Sequence, residues 1–107
     1  MMIKISSDYT DSPGARYRAD GPFSGEDFYE SLLKPKFEEC LKNKDRLLIN
    51  FDDCFGFASS FLDESFGRLS TDFGIETVKK HLDLFSVQDP LIIEQVIKII
   101  ENPRRAK

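Results

Sequence analysis

Two adjacent carboxylates, Asp52 and Asp53, close an apolar run, and a few residues later two adjacent hydroxyls, Ser59 and Ser60, stand where a helix should begin. Open α/β sheets gather ligands at strand ends, so the carboxylate pair suggests Mg²⁺ binding or a phosphoaspartate. Such a site needs several convergent groups. Adjacent strand residues point to opposite faces, and the only further partners on offer are Lys79 or Lys80 from the next expected strand. This defines the runner-up reading, a small Mg-dependent or ligand-binding α/β domain using Asp52 and Asp53.

Nucleophilic chemistry has less to work with. A serine or cysteine nucleophile needs a base within reach, and His81 is the only histidine. Cys40 and Cys54 lack the spacing of a zinc site or redox pair and read as small apolar residues. The glycines, at 14, 21, 25, 56, 67 and 74, form no phosphate-binding motif. No catalytic residue, metal ligand or cofactor is assigned, and the expectation is a protein that is not an enzyme.

The serine pair supports a different chemistry. A hydroxyl at a helix N-terminus caps unsatisfied N–H groups, worth about 1 kcal/mol. A phosphate on Ser60 or Ser59 would be held in part by the macrodipole and repelled by Asp52, Asp53, Asp63 and Glu64. A surface that docks when neutral would then be blocked when charged. Phe55, Phe57 and Phe61 surround the pair and, with Asp52, Asp53 and Glu64, are the expected partner contacts. Core packing is the competing account of the three rings, since an exposed Phe is costly unless a partner covers it.

The elements that must position these residues follow from periodicity. Met2–Ser6 alternates as an edge strand does, turn residues fill 8–14, and Ala15–Arg18 suggests a second short strand. Ser24 and Asp27 resemble a capping box, and Phe28, Leu32, Leu33, Phe37, Cys40 and Leu41 then recur at helical spacing. Pro35 predicts a kink, or two helices meeting at Lys34. Leu47–Phe51 reads as the central strand, covered on both faces. Leu62, Phe66, Leu69 and Phe73 form the next helix, ended by Gly74; 78–87 reads as a strand, and Asp89-Pro90 opens a last helix that stops before Pro103.

The order β, β, α, β, α, β, α predicts an α/β sandwich with a roughly four-stranded mixed sheet and about three helices. A length of 107 residues suits one domain, 1–107, with an N-terminal strand and loop (1–14) and a basic tail (103–107). A net charge of −4 and a pI near 5.0 argue against nucleic acid as the partner. No apolar run is long enough to span a membrane. The composition and the two unpaired cysteines fit a reducing cytoplasm.

A buried strand, a short loop, two serines and a helix, in a chain of this length and order, resemble the STAS domain, the fold of anti-sigma factor antagonists. The resemblance is closest to the STAS-like domain family of unknown function, in which a motif of the type Ser59-Ser60-Phe61-Leu62-Asp63-Glu64 opens the helix. It covers most of the chain, and 47–69 is its specific part. In the antagonists an Asp-Ser-Ser-Gly sequence opens the helix, and an anti-sigma kinase of the histidine-kinase ATPase fold phosphorylates the second serine. Alignment on the serines implies Ser60 as the phosphoacceptor here. Two residues depart from that pattern: Ala58 replaces Asp, removing a charge, and Phe61 replaces Gly, adding bulk. The resemblance implies a non-enzymatic, cytoplasmic regulatory module that binds a protein partner, an ATPase-fold regulator, at the strand–loop–helix junction. A homodimer through the sheet edge at Met2–Ser6 is a further expectation.

Overall fold

The computed structural model describes residues 1–103. The basic tail expected at 103–107 therefore lies, apart from Pro103, outside the described residues. Strand β1 (Met2–Lys4) leads into a single helical turn, α1 (Ile5–Asp8). A long irregular segment with one 3₁₀ turn (Arg18–Asp20) then reaches a continuous helix, α2 (25–42), and strand β2 (Leu47–Asn50) follows. The junction loop leads to a second long helix, α3 (59–73), and Gly74 turns the chain into α4 (Ile75–His81). Strand β3 (Leu82–Phe85) and helix α5 (Pro90–Glu101) complete the described residues.

All three strands are parallel, in the order β1-β2-β3. Parallel crossovers are right-handed almost without exception. When two successive crossovers step in the same direction, both sets of helices fall on the same face. The burial agrees. Ile3, Ile49 and Leu84 lie in register, and Ile3 and Ile49 are fully buried along with Leu47. The alternate residues Met2, Leu48 and Asp83, then Lys4, Asn50 and Phe85, form the other face, where Met2 and Phe85 are exposed. β2 is thus central, as its sequence implies, but only one of its faces is fully covered.

The α/β class and single compact domain agree with the sequence, and three details are corrected. First, the sheet has three parallel strands among the described residues instead of about four in a mixed arrangement. Ala15–Arg18 is not one of them, because its carbonyls pair with the start of α2: Gly25 N–H donates to Ala15 O at 2.8 Å and Glu26 N–H to Arg16 O at 2.9 Å. Second, five helices among the described residues replace about three. The first half of the expected strand 78–87 is helical, and its Lys79, Lys80 and His81 sit in the last turn of α4, where cations suit the macrodipole. Third, the N-terminal strand stops at Lys4, whose N–H is taken by the Asp8 carboxylate at 2.8 Å as the chain turns into α1.

Both long helices contain a π turn, Tyr29–Leu33 in α2 and Asp63–Gly67 in α3. In each, a serine hydroxyl donates back to the carbonyl four residues earlier: Ser31 to Asp27 O at 2.5 Å and Ser65 to Phe61 O at 2.8 Å. The break expected at Lys34 is therefore a change of helical register. Pro35 has no N–H to give to the Ser31 carbonyl, the π turn ends at Leu33, and α-helix resumes at Lys34. The two π turns pack against each other over the sheet, bringing Phe28, Tyr29, Phe61 and Phe66 into the core. No helix among the described residues is long and apolar enough to cross a membrane.

Candidate functional site

The junction between β2 and α3 begins with a tight turn. Asn50 Oδ1 accepts the Asp52 N–H at 2.9 Å, and Asp53 takes a left-handed conformation (φ 71°). That turn sends the two carboxylates apart. Asp52 accepts from Ser86 Oγ at 2.9 Å and from the N–H groups of Val87 and Gln88, both at 3.0 Å. Asp53 pairs with Lys4 Nζ at 2.7 Å and accepts from Gln88 Nε2 at 3.0 Å. Together they tie the C-terminal ends of all three strands. The Gln88 and Val87 N–H groups hold the Asp52 carboxyl below its ordinary range, and Lys4 does the same for Asp53.

This engagement weakens the metal reading. The carboxylates do not converge, and Lys79 and Lys80 lie at the opposite, N-terminal end of β3, with Lys79 bound to Glu101 at 2.7 Å. No group of three or more His, Cys, Asp or Glu among the described residues is placed to hold a metal ion. His81 sets its Nδ1 3.1 Å from the Asp45 carbonyl, which ties α4 to the turn before β2. Burial pushes the Cys54 thiol up to about 11, so it is protonated at neutral pH.

The serines open α3 without capping it. Ala58 is the N-cap, and Ser59 and Ser60 are the first two helical residues. Ser59 is exposed and, with Asp63, Gln95, Lys98 and Asn102, lines a shallow groove of about 250 Å³ between α3 and α5; Ser60 is half-buried.

The three phenylalanines separate. Phe61 is fully buried and stacks on Phe28 with ring centroids 5.6 Å apart. Phe57 is half-buried, edge-on to Phe51 at 5.4 Å. Phe55 is 87% exposed. Glu64, 2% exposed, is interior as well, 3.5 Å from Arg68 and 3.9 Å from Arg16. Phe61 and Glu64, expected as partner contacts, thus present no surface in this structure. Each faces inward because the first turns of α3 pack directly on the start of α2, where a Cβ at Gly25 would lie 2.5 Å from the Phe61 carbonyl oxygen.

The structure also brings forward residues that the sequence reading missed. Val87 and Leu91, each 70% exposed, follow β3 at the same end of the sheet as Phe55. For Leu91 a signal existed, since it lies off the Ile92, Val96, Ile100 stripe; Val87 gave none, because the strand expected over 78–87 took it in. Arg16 and Arg68 were also missed. Arg16 lies 3.4 Å from buried Asp63, and Arg68 bridges to Glu30 at 3.0 Å while covering the Tyr29 ring at 4.7 Å. These long-range pairs leave no mark on local periodicity.

Comparison with curated proteins and with solved structures gives no match. A family model described as a STAS-like domain of unknown function (DUF4325) matches residues 24–91, from the N-cap of α2 to the first turn of α5. The match covers well over half of the chain and takes in both long helices, β2, β3 and the whole junction. The chain belongs to this STAS-like family.

Proposed function

We propose that this chain is a non-enzymatic regulatory module that docks a partner protein at the junction, through the loops that follow β2 and β3. Phe55 carries the reading. It is 87% exposed on a loop whose base is fixed by the Asp52 and Asp53 contacts, and those contacts tie it to the loop bearing Val87. Large apolar side chains held out from a rigid base are what interaction surfaces offer. Leu91 extends this apolar set, and Phe57 packs the same loop onto Phe51.

The partner we infer is an ATPase-fold regulator of the histidine-kinase type, by likeness to the anti-sigma factor antagonists. Phosphorylation of Ser60, or of Ser59, would oppose docking by adding about two negative charges to an acidic surface. The module would work in the cytoplasm, with neither nucleic acid nor membrane as its partner. Affinity purification of the full chain, with mass-spectrometric identification of bound protein, tests the reading. Wild type should retain an ATPase-fold partner that Phe55→Ser and Val87→Ser lose and Ser60→Glu weakens. Recovery of no such partner, or equal retention by all variants, would overturn it.

A further inference from the structure

We propose that residues 9–24 form a strap that holds the junction in one conformation, and that its release frees the junction while leaving the sheet intact. The segment holds only one 3₁₀ turn of regular structure. Loops of this length without structure of their own are uncommon in compact domains and are usually functional. Its middle, from Asp11 to Phe23, is exposed or half-buried, and its ends are fixed.

The strap grips the junction at two separate places. Near its start, the Asp11 carbonyl accepts the Phe55 N–H at 2.8 Å and the Thr10 carbonyl accepts from Cys54 Sγ at 3.6 Å. Further along, Arg16 reaches Asp63 at 3.4 Å and Glu64 at 3.9 Å on the π turn of α3. One contact holds the loop and the other holds the helix, with Ser59 and Ser60 between them. The strap is itself anchored on α2. Tyr9 Oη donates to Asp27 at 2.6 Å, and Arg18 pairs with Asp27 at 3.0 Å and with Glu30 at 2.5 Å. Within the strap, Gly14 N–H donates to Phe23 O at 2.8 Å and closes it on itself. Among the described residues no hydrogen bond or ion pair joins it to the sheet: Leu48 N–H donates to Met1 O and Phe51 N–H to Phe85 O, both independent of the strap. Between its buried ends, Thr10 and Ser24, the segment is held mainly by polar contacts, with Tyr9 the ring it packs against the core, and a segment held in this way opens at lower free energy than the core beneath it. Release would loosen Phe55 and the first turns of α3 together. The effect on docking rests on the function proposed above; the conformational claim does not.

Hydrogen exchange of the full chain, read at single amides, tests it without any partner. Two variants loosen the strap by different routes. Arg16→Ala removes the grip on α3, and Gly14→Ala places a Cβ that would meet the Pro22 carbonyl oxygen at 2.4 Å, forcing open the strap's own closure. In both, the amides of Phe55, Phe61 and Leu62 should exchange at least about tenfold faster than in wild type, while those of Leu48 and Phe51 keep their protection. Unchanged exchange at the junction, or equal acceleration at Leu48 and Phe51, would overturn the proposal. If Arg16→Ala fails to fold, Gly14→Ala decides alone. A strap that behaves as described in a protein that binds no partner would leave this inference standing and remove only the docking reading.

Discussion

Phe55 and Phe61 sit six residues apart in one motif and have opposite surroundings. Phe61 is fully buried against Phe28 and Phe57, so Phe61→Ala should cost about 3–5 kcal/mol through lost burial and a residual cavity. Phe55→Ala should stay within about 0.5 kcal/mol, as exposed substitutions do. Urea denaturation of the two variants measures both, and similar costs would contradict the placement of either ring. Sequence alone could not sort them, because core and docking surface both call for Phe. Asp52 makes a second residue-scale prediction. Its carboxyl is held below the ordinary value of 3.8 by the Gln88 and Val87 N–H groups, so its stabilisation is fully present above that value. It is lost as pH falls below 3.8 through the lower folded value. In thermal unfolding followed from pH 7 down to pH 2, the advantage of wild type over Asp52→Asn should therefore shrink in acid. A difference that stays constant with pH would mean that Asp52 contributes through shape alone.

At the level of elements, α2 and α3 approach so closely that backbone meets backbone. Gly25 opens α2, and a Cβ there would lie 2.5 Å from Phe61 O and 3.0 Å from Glu64 Cβ. Helix propensity by itself favours Ala over Gly by about 1 kcal/mol. The overlap should reverse that sign, so Gly25→Ala should destabilise by about 1–3 kcal/mol in urea unfolding; a gain in stability would show that the helices can move apart. The helical stripes of α2 and α3 and the punctuation at Ser24, Gly74 and Pro90 were legible, because each follows from local spacing or backbone chemistry. The π turns were not. Pro35 announces a lost hydrogen bond but not the register that absorbs it, and nothing in Asp63–Gly67 marks a π turn except Ser65, a residue equally at home in an ordinary helix. Helix α4 was missed because 75–81 is too short for periodicity to separate it from the strand that follows.

The whole molecule follows from strand order. Steps from β1 to β2 to β3 in one direction put the helices on one face and leave Met2, Leu48 and Phe85 on the other. The sequence shows that β2 is apolar and central; it does not show which way the chain steps, so it cannot say that one face stays open. The same geometry frames an experiment on the expected homodimer at the N-terminal edge. Strand β1 is three residues long and β3 four, and short edges limit pairing between sheets. A stable interface covers about 800 Å² on each partner, more than a three-residue edge can supply by itself. Light scattering at micromolar concentration should therefore give the monomer mass of 12.3 kDa. Twice that mass would mean that the second copy also covers the open face, the nearest apolar area that an edge contact could recruit. Phe85→Lys should then restore the monomer, because a charge placed in that face could not be buried without a partner of opposite sign.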